Sequence, residues 1–99
     1  MTELIVKSSN KAEHQATRAI LQEALDRQKK MLKTAFLRTR ENLNHFESRY
    51  HMDSATFFKR YQNGEIDDQN DFVDWAGEYQ ILENLQNQSN FIEEIILCK

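Results

Sequence analysis

The sequence predicts an all-α protein, with one long amphipathic helix followed by two or three shorter helices. The 99 residues contain no proline and only two glycines, whereas all-β folds need many turn residues. Apolar residues recur at spacings of three and four over long stretches, as they do on one face of a helix. A chain of this length forms one domain at most, so residues 1–99 are predicted to be a single helical domain.

Residues 1–10 are predicted to form an arm before the first helix. Leu4, Ile5 and Val6 are compatible with a short edge strand or with a loose arm, and three residues do not decide between them. Asn10 is predicted to cap the helix, because its side chain can accept a backbone N–H. Glu13 follows three residues later, where a capping box places its acid.

The long helix is predicted over residues 11–51, where neither glycine nor proline occurs. Seven apolar residues fall on one stripe of it: Leu21, Leu25, Leu32, Phe36, Leu43, Phe46 and Tyr50. Such a helix would be about 60 Å long at 1.5 Å per residue. Because a compact domain of this size has a radius of gyration of about 13 Å, we predict a homodimer that associates through this self-association stripe.

An aromatic helix is predicted over residues 53–63. Asp53 is a suitable N-cap, and Met52 is placed to pack onto Phe57 as a hydrophobic staple. Asn63 and Gly64 both tolerate the left-handed conformation that closes a helix, so the helix is predicted to end there.

A C-terminal helical segment is predicted over residues 68–97, capped by Asp67 or Asp68. Phe72, Trp75 and Tyr79 begin its apolar face, which continues at the same spacing. The run 86–90 is polar, so this segment is predicted either to break there into two helices or to continue as one.

Charge is divided unevenly along the chain. Residues 1–60 hold 12 of the 13 Lys and Arg and 7 of the 16 Asp and Glu, a net +5, whereas residues 61–99 hold one base and nine acids, a net −8. Such asymmetry indicates that the two halves attract each other or face different partners.

Composition favours a soluble, cytoplasmic protein. The single cysteine, Cys98, cannot form an internal disulfide, so a reducing compartment is expected. No apolar run approaches the roughly 20 residues of a membrane span. The N-terminus has no basic region ahead of its apolar residues, so no signal peptide is predicted.

No complete set of catalytic or metal-binding residues is present, so neither an enzyme nor a cofactor is predicted. The acids Asp67, Asp68, Asp71 and Asp74 are of the type that binds Mg²⁺, but acids at a helix start also stabilise the helix dipole, which is the commoner case. The three histidines lack metal-site spacing. Cys98 has no neighbouring base to activate it.

The basic side of the long helix is a weak candidate for nucleic-acid binding. It carries Arg27, Lys30, Lys33, Arg38 and Arg40, and clustered positive charge binds phosphates. The sequence pI is about 5.6, and no aromatic residues interleave with these bases. A solvated helix back is therefore favoured.

Two aromatic clusters in the acidic half are the strongest candidates for a protein-binding surface. All six rings fit a core interpretation, but aromatic residues left exposed concentrate binding energy at interfaces. With two nearby acids they form the predicted partner-binding set: Phe57, Phe58, Tyr61, Asp71, Phe72, Asp74, Trp75 and Tyr79.

About a third of the chain, from Phe46 to Tyr79, resembles a group of small prokaryotic helical proteins that are similar to antitoxin components of toxin–antitoxin pairs. The resemblance lies in Glu47-Ser-Arg-Tyr-His-Met-Asp-Ser, Phe57-Phe-Lys-Arg-Tyr-Gln-Asn-Gly-Glu-Ile-Asp-Asp and Asp71-Phe-Val-Asp-Trp. It implies neutralisation of a small, ribonuclease-like toxin by direct binding, and no catalytic residues carry over.

The expected function is therefore an antitoxin-like protein-binding module. The acidic half is compatible with covering a basic cleft on such a partner, because complementary fields speed association. The alternatives are a dimeric helical adaptor or structural protein, and a nucleic-acid-binding autoregulator that uses the basic helix back.

Overall fold

The computed structural model describes residues 11–97, which form three helices and no strand. They are α1 (Lys11–Tyr50), α2 (Ser54–Gln62) and α3 (Asn70–Leu97). The predicted all-α fold with one long N-terminal helix is confirmed. The predicted arm, its candidate strand and the predicted cap Asn10 lie outside the described residues. Within residues 11–97, no helix combines the length and apolarity that a membrane crossing needs.

The chain divides into two compact units, residues 1–31 and 32–99. The described part of the first unit is helix from Lys11 to Met31. Most of its side chains are exposed, including Ile20, Leu21 and Met31. Gln22 Nε2 donates to Asp26 Oδ1 at 3.0 Å, an i, i+4 pair on the helix surface.

The second unit holds the aromatic core. Its buried members come from all three helices: Leu43, Phe57, Phe58, Trp75, Ala76 and Leu82. Half-buried residues pack around them: Phe36, Phe46, Tyr50, Met52, Tyr61, Ile66, Phe72 and Tyr79. Much of the predicted self-association stripe is thus already covered within its own chain, since Phe36, Leu43, Phe46 and Tyr50 all belong to this core.

Both ends of α2 follow the predicted capping chemistry. Asp53 is the N-cap, and its carboxylate accepts the Thr56 backbone N–H at 2.8 Å and the Thr56 hydroxyl at 2.9 Å. The bond from the Thr56 backbone N–H, followed by that from the hydroxyl, lowers the pKa of Asp53. The Ser54 backbone N–H is accepted by Glu47 Oε2 at 2.8 Å.

At the other end of α2, Asn63 is the C-cap and Gly64 has a positive φ of 76°. The Gly64 N–H donates to the Tyr61 carbonyl at 3.1 Å, and the Glu65 N–H donates to the Arg60 carbonyl at 3.0 Å. This pair of bonds is the Schellman motif, which satisfies carbonyls that a helix end leaves unpaired. An ion pair of 3.5 Å between Arg60 and Glu65 spans the same turn.

One prediction about α3 was wrong, and one open alternative is resolved. The Gln69 carbonyl accepts the first helical N–H groups, from Phe72 at 2.9 Å and from Val73 at 3.0 Å. Gln69 therefore occupies the N-cap position, and neither Asp67 nor Asp68 is the cap. The polar run 86–90 does not break the helix, which continues to Leu97. All five of its side chains are exposed, and polar residues on the solvent side do not interrupt a helix that lacks proline and glycine there.

Candidate functional site

Trp75 organises the second unit. Its indole is 1% exposed and lies parallel to the Phe57 ring, with centroids 3.8 Å apart. Phe46 stacks on it at 5.6 Å and Tyr50 at 5.7 Å. The indole Nε1–H donates to the buried Ser54 Oγ at 2.9 Å, which satisfies the polar atom of a buried ring. One ring thus ties α3 to α1 and to the start of α2.

Burial sorts the predicted partner-binding aromatics into two groups. Phe57, Phe58 and Trp75 are buried core residues and offer no surface to a partner in this structure. Tyr61, Phe72 and Tyr79 are half-buried. The rings are more numerous than two short helices need for packing on each other, but α1 adds Phe36, Phe46 and Tyr50 to the same core. The aromatic clusters therefore pack mainly against one another.

The predicted acidic run separates into unrelated contacts. Asp71 is half-buried, accepts a short hydrogen bond from the Tyr50 hydroxyl and forms an ion pair with Arg49 at 3.3 Å. That hydrogen bond, followed by burial, raises the pKa of Tyr50. Asp68 Oδ1 accepts the Tyr61 hydroxyl at 3.0 Å, and this bond raises the pKa of Tyr61. Asp71 thus has an intramolecular role.

Among the described residues, no three His, Cys, Asp or Glu side chains are grouped closely enough to hold a metal ion. Asp67 accepts a bond of 3.3 Å from Gln69 Nε2. Asp74, by contrast, is exposed. The four aspartates therefore do not converge on one point.

An open groove of about 430 Å³ lies between α1 and α3 of the second unit. We call it the α1–α3 groove. It is lined by Asn42, His45 and Phe46 of α1 and by Val73, Asp74, Gly77, Glu78 and Ile81 of α3. The Phe46 ring is held in position in this lining, because it stacks on Trp75 in the core.

The α3 wall of the groove is apolar along its length and acidic beside that line. Val73, Gly77 and Ile81 are spaced by four residues and so share one side of the helix. Val73 is 46% exposed and Ile81 is 47% exposed. Asp74 and Glu78 stand next to them. Residues 70–97 contain six acids and no Lys, Arg or His. The α3 wall of the groove therefore belongs to a strongly negative helix.

A second cavity of about 330 Å³ lies where α2 turns toward α3. Core rings line much of it, including Tyr50, Phe57, Phe72 and Trp75. The Arg60 and Glu65 side chains at its edge pair with each other. Most of its lining residues therefore already pack in the core or pair with each other at the turn. The α1–α3 groove is the stronger candidate for a binding site.

Sequence reasoning missed most of the α1–α3 groove, since only Asp74 and Phe46 of its lining had been assigned roles. The signal that was available is Gly77, a glycine in the middle of an apolar helical pattern. An isolated glycine there is tolerated at a cost in stability and often has a packing or functional reason.

All five residues of the predicted basic side of α1 are exposed: Arg27 and Lys30 in the first unit, and Lys33, Arg38 and Arg40 in the second. Arg40 forms an ion pair with Glu47 at 3.6 Å.

Comparisons with known proteins find no matching family model, no similar curated protein and no similar solved structure. The function is therefore inferred from the geometry and charge of this chain.

Proposed function

We propose that this protein is an antitoxin-like protein-binding module that neutralises a small partner protein by direct binding. The observation that carries the proposal is the α1–α3 groove, where the exposed apolar residues Val73 and Ile81 and the Phe46 ring lie beside acidic residues of α3. Exposed apolar surface with a polar rim is typical of protein-interaction sites. The resemblance of residues 46–79 to antitoxin components supports the choice of a toxin, ribonuclease-like in kind, as the partner.

The proposal revises which residues make the contact. Asp74 remains, with Tyr61, Phe72 and Tyr79 as half-buried neighbours, whereas the three buried rings support the site from the core. Val73, Glu78 and Ile81 join the contact set because they line the groove. In this arrangement the acids speed encounter with a basic partner, and the apolar residues prolong the complex.

We further propose that the protein is prokaryotic and cytoplasmic, that it acts as a homodimer, and that it has no catalytic activity. Dimerisation through residues of the second unit would compete with the core that already covers Leu43 and Phe46. The stripe residues of the first unit, Leu21 and Leu25, lie outside that core. We therefore assign self-association chiefly to these two residues.

A nucleic-acid-binding autoregulator is the second candidate, favoured by the exposure of Lys33 and Arg38 on α1. Phosphate contacts by such bases would lose affinity steeply as salt rises. Retention on DNA that is lost in Lys33→Glu with Arg38→Glu, while partner capture is kept, would support this second role.

Co-expression with the product of the adjacent gene tests the first proposal. We expect the two proteins to co-purify and the chain to relieve growth inhibition caused by that product. Ile81→Lys should abolish both effects, whereas Leu37→Lys, an exposed apolar position on α1, should abolish neither. A neighbouring product that is neither bound nor neutralised would contradict the antitoxin proposal.

A further inference from the structure

Gly77 lies within α3 although nothing in the described chain requires a glycine there. Its φ is not positive, since Gly64 is the glycine with that conformation. Apart from its chain neighbours and the backbone of its own helix, a methyl group at Gly77 would meet no heavy atom of the described residues within 4 Å. Glycine inside a helix is less stable than alanine because of its greater backbone freedom. The contacts of the described residues therefore give no intramolecular reason for a glycine at position 77.

Gly77 leaves a notch in the surface of α3. Val73 and Ile81 lie about one helical turn before and after it on the same side of α3, and both are exposed. A missing side chain between two larger ones lets another backbone approach closely, as small residues do at helix–helix crossings. The notch opens into the α1–α3 groove, whose lining includes the Phe46 ring.

The walls of the groove select a helix as its occupant. Residues 42–46 and 73–81 are all helical, so their backbone groups are bonded internally and offer no edge for strand addition. An amphipathic helix also has its backbone bonds satisfied and can place an apolar side into such a groove. The notch at Gly77 then fits the point where two helices cross most closely.

The charge of the groove selects a basic occupant. Asp74 and Glu78 flank the apolar line, and no Lys, Arg or His occurs in Asn70–Leu97. Among the described lining residues, His45 of α1 is the one other ionisable side chain, so the two carboxylates outnumber it. A second copy of α3 would bring the same acids to the groove, and like charges brought together cost several kcal/mol. Lys or Arg beside the apolar side of an incoming helix would instead pair with these carboxylates.

We propose that the partner enters the α1–α3 groove as a single amphipathic helix, basic beside its apolar side, that crosses α3 at Gly77. This inference rests on the proposed protein-binding function and specifies how the partner is recognised. It makes Gly77 a specificity-determining residue, because any larger side chain there fills the notch.

A defined peptide serves as the probe in the test. An amphipathic helical peptide of leucine and lysine, about five turns long, is titrated into the full-length chain labelled with ¹⁵N, and amide shifts are followed by NMR. A second peptide carries glutamate in place of lysine. We expect shifts centred on residues 42–46 and 73–81 and at least tenfold weaker binding of the acidic peptide.

Matched variants localise the effect. Gly77→Leu fills the notch with a good helix former, and we expect it to weaken binding of the basic peptide at least tenfold. Asn87→Leu adds the same side chain at an exposed position farther along α3 and should change binding less than twofold. Unchanged circular dichroism spectra for both variants establish that the fold is retained.

Several results would overturn the inference: no binding of the basic peptide, equal affinity for both peptides, shifts away from the groove, an unaffected Gly77→Leu, or a dimer that occupies the groove. Capture of the adjacent gene product by wild type and Gly77→Leu alike would also overturn it and leave the binding function standing. Peptide binding at the groove with no neutralised gene product would contradict the antitoxin proposal and support this inference.

Discussion

Helix α3 has two apolar sides, and the rest of the second unit covers only one of them. On the core side, Trp75, Ala76 and Leu82 are buried among rings from α1 and α2. On the groove side, Val73 and Ile81 stay about half exposed around Gly77. The core side therefore accounts for stability, whereas the described residues leave the apolar surface of the groove side about half exposed.

The largest expected difference between the two sides is in their contribution to folding. Trp75→Ala should lower the free energy of unfolding by about 3–5 kcal/mol, because a large buried ring leaves a cavity. Ile81→Ala in the same helix should change it by less than about 1 kcal/mol, since the side chain is half exposed. Urea unfolding followed by circular dichroism measures both. Similar losses would mean that the groove side is also part of the core.

The hydrogen bond between Trp75 and Ser54 gives a narrower test of the core side. Ser54→Ala should cost about 1–3 kcal/mol of stability, because the indole Nε1–H then has no partner while remaining buried. Ser89→Ala, at an exposed position of α3, is the matched control and should be neutral or slightly stabilising. Equal unfolding midpoints for the two variants would show that the bond contributes nothing.

The two glycines separate backbone conformation from packing. Apart from neighbouring residues of the chain and the helix's own backbone, an added methyl group meets no heavy atom of the described residues within 4 Å at either Gly64 or Gly77. The two positions therefore differ mainly in backbone conformation. Gly64→Ala should cost about 1 kcal/mol because φ is +76°, whereas Gly77→Ala should gain about 0.5–1 kcal/mol from helix propensity. Unfolding midpoints check the signs. A destabilised Gly77→Ala would reveal an intramolecular reason for that glycine.

The smallest expected effect concerns pH and the cap of α2. Asp53 has a lowered pKa in the folded protein, caused first by the Thr56 backbone N–H. Its contribution to stability is therefore complete above its unfolded-state pKa and is lost as pH falls through the folded-state value. Asp53→Asn keeps a good cap without a titrating group, so its stability should fall less between neutral and acidic pH. Identical pH profiles of stability for the wild type and Asp53→Asn would show that Asp53 does not contribute to the loss of stability in acid.

Local chemistry made parts of the fold predictable. Asp53 at the start of α2 and Asn63-Gly64 at its end act through neighbouring backbone groups, so the sequence around them is sufficient. The start of α3 at Gln69 was not predictable in this way, because several acids nearby were equally good caps. Whether the helix continues through residues 86–90 was left open, because a polar stretch looks the same whether it breaks a helix or faces solvent.

The candidate site depended on contacts that periodicity does not specify. The stripe containing Leu43 and Phe46 was visible, but whether a second copy or the same chain covers it depends on how α3 packs. Trp75 was assigned to a partner for the same reason, since a ring on an apolar face does not show which side will be enclosed. The groove itself appears only when residues 42–46 and 73–81 are brought together.

The most direct test of the account compares two exposed apolar residues as partner contacts. Ile81 lines the α1–α3 groove, whereas Leu37 on α1 is more exposed but does not line it. The affinity of the co-purified gene product is measured by isothermal titration calorimetry for Ile81→Ala and Leu37→Ala. We expect at least tenfold weaker binding for Ile81→Ala and less than twofold change for Leu37→Ala. Equal effects, or the opposite order, would contradict the assignment of the groove as the partner site.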